Sequence, residues 1–322
     1  ADLASALVRL PSVNPPGGEQ PVSDALAALL ADAGLPPQRV PVDGHGDCLL
    51  ATLPGGPAPA RIFTGHLDVV PVSPGEAGRW ASDPFSGEIR GGRLYGRGAT
   101  DMKGGLAALV ATALGLRSEG RTPRGDVLLV LTSDEEDLMA GSKAVAGHPL
   151  LDRDADVVVC EPTGLRLCTV GRGRTWARLT VRGATGHGSQ ASGRNPVQLA
   201  ADLIAALDAE DFSATATPTD APSFWRPLAI HAGVEPCVVP DACTLTVDAR
   251  LAPDHDPEDV WARLDATIGR LRAAHPALAV DVEVVDRREG WRTPAASGLV
   301  GAAQAALAGL GLDPTPSTFA GT

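Results

Sequence analysis

Four short segments share one property: acidic or histidine side chains stand directly after an apolar, strand-like run. They are IFTGHLDVVP, GRGATDMKGG, LVLTSDEED and VVVCEPT. A single strand-end Asp or Glu is ordinarily a solvated cap. Four such segments at one edge of one sheet would gather His66, Asp68, Asp101, Glu135, Glu136 and Glu161. Clustered carboxylates repel one another unless cations neutralise them, so the pattern points to a metal centre. Oxygen and nitrogen donors without a thiolate suit zinc, manganese or cobalt, and not an iron–sulfur cluster. His66 and Asp68 share one face of an extended segment, which lets Asp68 accept the second imidazole N–H and fix the tautomer. Glu135 and Glu136 are adjacent; in extended backbone they point opposite ways, one to metal and the other to the substrate side.

The elements that must position these residues are legible in the periodicity. Helical patterns run near 2–10 and 22–33, the second closed by Gly34. Strand-like runs follow at 47–53 and 60–64, then a glycine-rich hairpin at 87–98 and a helix from Lys103 to Arg117. GDVLLVLTS and ADVVVCE have the length of buried strands. Strands alternating with helices predict an α/β domain whose mixed, largely parallel sheet is flanked by helices, with ligands at the strand ends. From about residue 173 the order becomes β-α-β-β-α-β, a ferredoxin-like α+β unit. The expected plan is therefore a catalytic domain over 1–172, an inserted lid or dimerisation domain over 173–287, and a return to the catalytic domain over 288–322.

Composition narrows the function classes. The chain has 322 residues, 44% apolar and 20% charged, which is enough for two domains with real cores. A formal net charge of −12 argues against general nucleic-acid binding, and no apolar run reaches the length of a membrane span. The first residues have neither the basic nor the apolar region of a signal peptide. Five scattered cysteines without a C-x-x-C pair fit a reducing cytoplasm.

HLDVVP, GRGATDMKGG, TSDEE, CEPT and the later GHGS, in that order, resemble the family of aminoacylase, acetylornithine deacetylase, succinyl-diaminopimelate desuccinylase and carboxypeptidase G. The resemblance implies a di-zinc amide hydrolase, with cobalt or manganese able to substitute. In it Asp101 bridges the two ions, His66 and Glu161 complete one site, and Glu136 with a C-terminal histidine completes the other. Glu135 is then the general base and Asp68 orients His66. The resemblance also makes the Asp101–Met102 peptide cis. His187, in GHGS, would reach a partner subunit's site in a homodimer formed through 173–287 and stabilise the oxyanion. Arg250 would pair with a substrate carboxylate, and Thr322 would contact substrate. One departure is Cys237, which stands before Val238-Val239-Pro240 where the family has Asn.

The implied substrate is an N-acyl amino acid, against a dipeptidase or carboxypeptidase on the same scaffold or a binding homologue that has lost catalysis. A serine hydrolase is disfavoured because no Ser sits in G-x-S-x-G. A nucleotide enzyme is disfavoured because GRGATDMKGG matches neither phosphate-loop pattern. No histidine follows His275, so the last metal ligand of the family is expected beyond Gly321-Thr322, in a longer chain.

Overall fold

The computed structural model describes residues 1–189, 194–217 and 220–319. By internal packing these fall into two units, Ala1–Gly164 and Leu165–Thr322. In the first, the elements are α1 (Asp2–Val8), α2 (Gln20–Asp32), β1 (Gln38–Val40), β2 (Cys48–Leu53), β3 (Ala58–His66), α3 (Pro74–Ala77), β4 (Glu88–Arg90), β5 (Arg93–Tyr95), α4 (Gly104–Ser118), β6 (Gly125–Thr132), α5 (Ala140–Val145) and β7 (Ala155–Val159). A proline in the first turn starts α2, and Gly34 at φ 74° follows its end. The glycine-rich stretch forms the β4–β5 hairpin. Its turn residues, Gly91 and Gly92, both have positive φ, the geometry a two-residue hairpin turn requires.

The five strands of the main sheet lie in the order β1-β2-β6-β3-β7. β3 runs parallel to β6 on one side and to β7 on the other, while β2 is antiparallel to β6. Period-two alternation along β6 splits its side chains between two cores. Leu129 and Leu131 face the layer built by Leu26, Leu30, Leu106 and Val110 of α2 and α4. Leu128 and Val130 face the smaller layer that includes Val145 of α5. Helices thus cover both faces, which is why these strands read as continuous apolar runs. β7 is an edge strand, and Val157 and Val159 on it are half exposed.

The second unit contains β8 (Cys168–Gly171), β9 (Gly173–Arg182), β10 (Gly186–His187), α6 (Pro196–Asp208), β11 (Phe224–Ala232), β12 (Val238–Val239), β13 (Ala242–Leu251), α7 (Pro257–Ala274), β14 (Ala279–Arg288), β15 (Trp291–Arg292), α8 (Gly298–Gly309) and β16 (Ser317–Phe319). Its four-stranded sheet has the order β11-β13-β9-β14 and is antiparallel throughout. With α6 and α7 between the strands, this is the ferredoxin-like arrangement the element order predicts. Leu179, Leu245 and Val247 on one sheet face pack with Leu203 and Leu264 of the helices. The opposite face carries cross-strand ion pairs, Arg178–Glu283 and Arg182–Asp281 among them. β8, β15 and β16 form a separate small sheet, whose last strand has no counterpart among the elements expected from periodicity. Among the described residues no helix is long and apolar enough to cross a membrane.

Candidate metal centre

Parallel pairing brings the carboxyl ends of β3, β6 and β7 to one edge, where open α/β sheets hold their ligands. β3 ends on His66, β6 is followed by Asp134, Glu135 and Glu136, and β7 is followed by Glu161. Asp101 comes from the tight turn Ala99–Lys103 that leads into α4, and its peptide bond to Met102 is cis, as the resemblance implied. Met102 is fully buried, with its sulfur 3.2 Å from the His66 amide nitrogen. Gly65 permits this approach, since a Cβ there would lie 2.6 Å from the Met102 methyl.

His66 is 1% exposed and its two ring nitrogens have different neighbours. Nδ1 lies 3.0 Å from the Asp68 carbonyl oxygen and 3.4 Å from that residue's carboxylate. Nε2 lies 3.1 Å from Asp101 Oδ1 and 3.8 Å from Glu161 Oε1. With Nδ1–H donating to Asp68, Nε2 is the nitrogen left to bind a cation among the carboxylates. The main chain of Asp68, more than its side chain, takes the imidazole N–H. Its carboxylate instead accepts the amide N–H groups of Glu135 at 3.2 Å and Glu136 at 3.0 Å, and the Asn14 side-chain amide at 3.0 Å.

Among the described residues two groups of three bring ligand atoms within 4.8 Å of one another: His66, Asp101 and Glu136, and His66, Glu135 and Glu161. The expected extended backbone at Glu135 and Glu136 is not found. Asp134 has a left-handed φ of 59° and the two glutamates sit on the turn that follows, so both carboxylates reach the His66 cluster instead of diverging.

The electrostatics bear on whether a cation fits. Burial, reinforced by the neighbouring carboxylates, pushes Glu136 and Glu161 up to about 7. Burial acts to lower His66, but the Asp101 and Asp68 hydrogen bonds outweigh it and hold the imidazole well above its ordinary range. The site therefore draws positive charge to His66 Nε2 and protons to its glutamates. Divalent cations would supply that charge with a donor set of one imidazole and several carboxylates, so these residues fit the metals that the resemblance implies. Asp68 is held below its usual value: burial would raise it, but the hydrogen bonds from His66, Glu136 and Asn14 prevail.

Four residues at this edge carry no role that motif or period could assign: Asn14, Glu19, Lys103 and Asp134. Lys103 is wholly buried and donates to the carbonyls of Leu7 and Leu10 at 3.0 and 2.7 Å, tying the Asp101 turn to the end of α1. Burial lowers its ammonium to about 8, with the Asp68 charge pulling the other way. For Asn14 and Glu19 the only signal was polarity in a run, SVNPPGGE, that has no helical or strand period.

The remaining expected residues lie in the second unit. His187 is exposed on β10, paired with Val238, and its Nδ1 is 2.7 Å from Ser189 Oγ. Cys237 is exposed beside that pairing, and its carbonyl accepts the Gly188 amide N–H. Arg250 lies on β13 and donates to Asp248 at 2.6 Å. Thr322 lies outside the described residues.

Imidazole and carboxylate donors at parallel strand ends are those of an α/β protein suited to holding divalent cations. Residues 62–322 match Peptidase family M20/M25/M40, and the chain belongs to that family, whose members hydrolyse amide bonds. A succinyl-diaminopimelate desuccinylase from Cereibacter sphaeroides is 34% identical over 99% of this chain and 85% of its own length. One from Rhodopseudomonas palustris is 38% identical over 65% of this chain and 56% of its own. Among solved structures, human carnosine dipeptidase 1 shares the fold with TM-score 0.81 at 17% identity, covering 100% of this chain and 84% of that one. A dinuclear metal-binding peptidase of the M20 family from Bacillus subtilis has TM-score 0.66 at 15% identity, covering 99% and 80%.

Proposed function

We propose that the chain hydrolyses the amide bond of an N-acyl amino acid, in the manner of a deacylase such as acetylornithine deacetylase or succinyl-diaminopimelate desuccinylase. The observation that carries this reading is the pair of three-residue ligand groups meeting at His66, with Glu135 in one of them. The desuccinylase relatives, at 34% identity over nearly the whole chain, support the acyl amino acid as substrate.

On this reading His66, Asp101, Glu136 and Glu161 would hold two zinc ions, with the Asp101 carboxylate serving both. When bound, zinc would supply Lewis acidity, lowering the pKa of a water towards neutral. Glu135 accepts the proton of that water as its oxygen bonds to the carbonyl carbon. It then returns the proton to the nitrogen as the C–N bond breaks, releasing a carboxylic acid and an amino acid; such proton transfer contributes about 10²–10⁴-fold. Asp68 keeps His66 in the Nδ1–H tautomer and fixes the backbone of the glutamate turn. Arg250 is assigned to a substrate carboxylate, for which a guanidinium fork is well shaped, and Thr322 to a further substrate contact.

His187 is assigned to the oxyanion of a partner subunit, in a homodimer built through the 173–287 domain. The exposed edge strand β11, with Leu228 and Ile230 half exposed, supports that surface. A cytoplasmic setting is supported by the five free cysteines.

A screen of N-succinyl, N-acetyl and dipeptide substrates, with zinc or cobalt present, tests the reaction. Cleavage of dipeptides alone, or of nothing, would count against the deacylase reading. Mixing a His187→Ala protomer with a Glu135→Ala protomer tests the dimer: activity should return, because one composite site is intact. No recovery despite confirmed subunit exchange would remove the trans role.

A further inference from the structure

The turn that carries Glu135 and Glu136 presents three successive amide N–H groups, and each is taken by a buried carboxylate. Asp68 takes two, those of Glu135 and Glu136. The third, from Asp134, goes to Glu19 Oε1 at 3.2 Å, across 115 residues of sequence. Glu19 is 0% exposed. It stands at the N-cap of α2, yet its side chain makes no capping bond. Its oxygens instead accept the Asp134 and Gly46 amides and face His45 Nδ1 at 3.2 Å. Burying a carboxylate is costly, and this one forgoes the capping bond usual at a helix start. Its contacts are directed at the turn.

Asn14 completes the arrangement. Its Nδ2 donates to Asp68 Oδ2 at 3.0 Å and to Asp134 Oδ1 at 2.7 Å, so one amide group joins both carboxylates. Its own Oδ1 is buried and has no hydrogen-bond partner among the described residues. The loop bearing Asn14 is fastened to the Asp68 segment by Ser12 Oγ donating to the Leu67 carbonyl at 2.7 Å and by main-chain bonds at Ser12 and Asn14. On the other side, Asp134 accepts the Ala140 amide at 2.9 Å, which holds its left-handed backbone in place.

We propose that Glu19, assisted by Asn14, is a positioning residue for the reaction: it sets the Asp134 peptide and thereby the reach of the Glu135 carboxylate into the His66 cluster. The proposal rests on the amide-hydrolase reading for its kinetic consequence, and on hydrogen bonding alone for its structural one. Neither residue touches a proposed metal ligand's donor atoms, so the ions should stay when the turn loosens.

The test compares the wild-type chain with Glu19→Gln, Asn14→Ala and a control, Ser5→Ala. The control removes another buried hydrogen bond of the same unit, from Ser5 Oγ to the Gly87 carbonyl at 2.6 Å, far in sequence from the turn. Glu19→Gln keeps the shape but turns one acceptor into a donor facing N–H groups. In Glu19→Gln the Asp134 amide should lose at least about 10-fold in hydrogen-exchange protection relative to its helix and strand neighbours. Two zinc ions should remain, KM should stay within about twofold, and kcat should fall about 10-fold, the lower range for residues behind a metal site. Asn14→Ala should lower kcat in the same direction, and Ser5→Ala should leave kcat unchanged in folded protein. Unchanged protection at Asp134 in Glu19→Gln, or a kcat loss that tracks only the folded fraction as in Ser5→Ala, overturns the proposal. If the wild-type chain cleaves no amide, the function reading fails by itself and the exchange measurement alone decides this one.

Discussion

Asp68→Asn is the most informative small change, because size and shape are kept while the acceptor pattern is not. The Asp68 carboxylate is fully buried and receives N–H groups on both oxygens. Oδ1 accepts from the Glu135 amide, with His66 Nδ1 also 3.4 Å away. Oδ2 accepts from the Glu136 amide and from Asn14. Whichever way the asparagine amide is turned, its NH2 faces at least one of these donors. The less harmful orientation places it at the Oδ1 position. One buried N–H then loses its acceptor, which costs about 1–3 kcal/mol. The bonds that remain become neutral, and charge-assisted bonds are roughly twice as strong, which adds about 1 kcal/mol. Removing a buried charge brings no compensating gain here, because the fold holds Asp68 below its usual pKa and so favours the ionised form. The sum is a loss of about 2–4 kcal/mol. Urea unfolding of chelated wild-type and mutant protein measures it without the contribution of metal binding. In the metal-loaded protein the main-chain bond to His66 stays, but losing the carboxylate charge 3.4 Å from the ring and slackening the glutamate turn should also lower metal affinity or activity by about 10–100-fold. A mutant within about 0.5 kcal/mol of wild type, the range of neutral surface changes, would show that the carboxylate is not the clamp described.

If Asp101 serves both ions, as proposed, Asp101→Ala should release them together; elemental analysis that still finds two tightly bound ions refutes the bridge. Glu135→Ala should keep both ions while kcat falls by about 10²-fold or more, and parallel loss of metal and activity would mean that the two glutamates are assigned the wrong way round. Chelated protein should be less stable at pH 8 than at pH 5.5. Glu136 and Glu161, raised to about 7, bind more protons folded than unfolded over the interval from their ordinary values up to 7, so stability falls as pH rises through it. His66, held well above its ordinary range, acts in the same direction: its contribution is complete below the unfolded pKa and is lost as pH rises through the folded one. Thermal midpoints of chelated and zinc-loaded samples at the two pH values check this, and a chelated form more stable at pH 8 would contradict it.

Whatever depends on local period and local chemistry was legible in the amino-acid sequence. Apolar runs of strand length marked β3, β6 and β7, and alternation with helices made them parallel neighbours. Residues just past their ends, His66, Glu135, Glu136 and Glu161, then had to meet at one edge. Asp101 follows only the short, glycine-interrupted run RLYGRGAT, so it was legible more through its motif than through period, as was the cis bond beside it. The β-α-β-β-α-β order was enough to give the antiparallel four-stranded sheet of the second unit.

Which donor meets which carboxylate was settled only on folding. A left-handed Asp134 turns Glu135 and Glu136 into the same cluster, where extended backbone would have separated them. The same holds for Glu19, Asn14 and Lys103, polar residues in stretches without a readable face, each buried by contacts with segments far along the chain. A period in the sequence reports how much of a residue is buried against its own sheet or helix layer. It carries no record of the long-range hydrogen bonds that make burial of a charge tolerable, because those partners are set by how the loops close over the finished sheet.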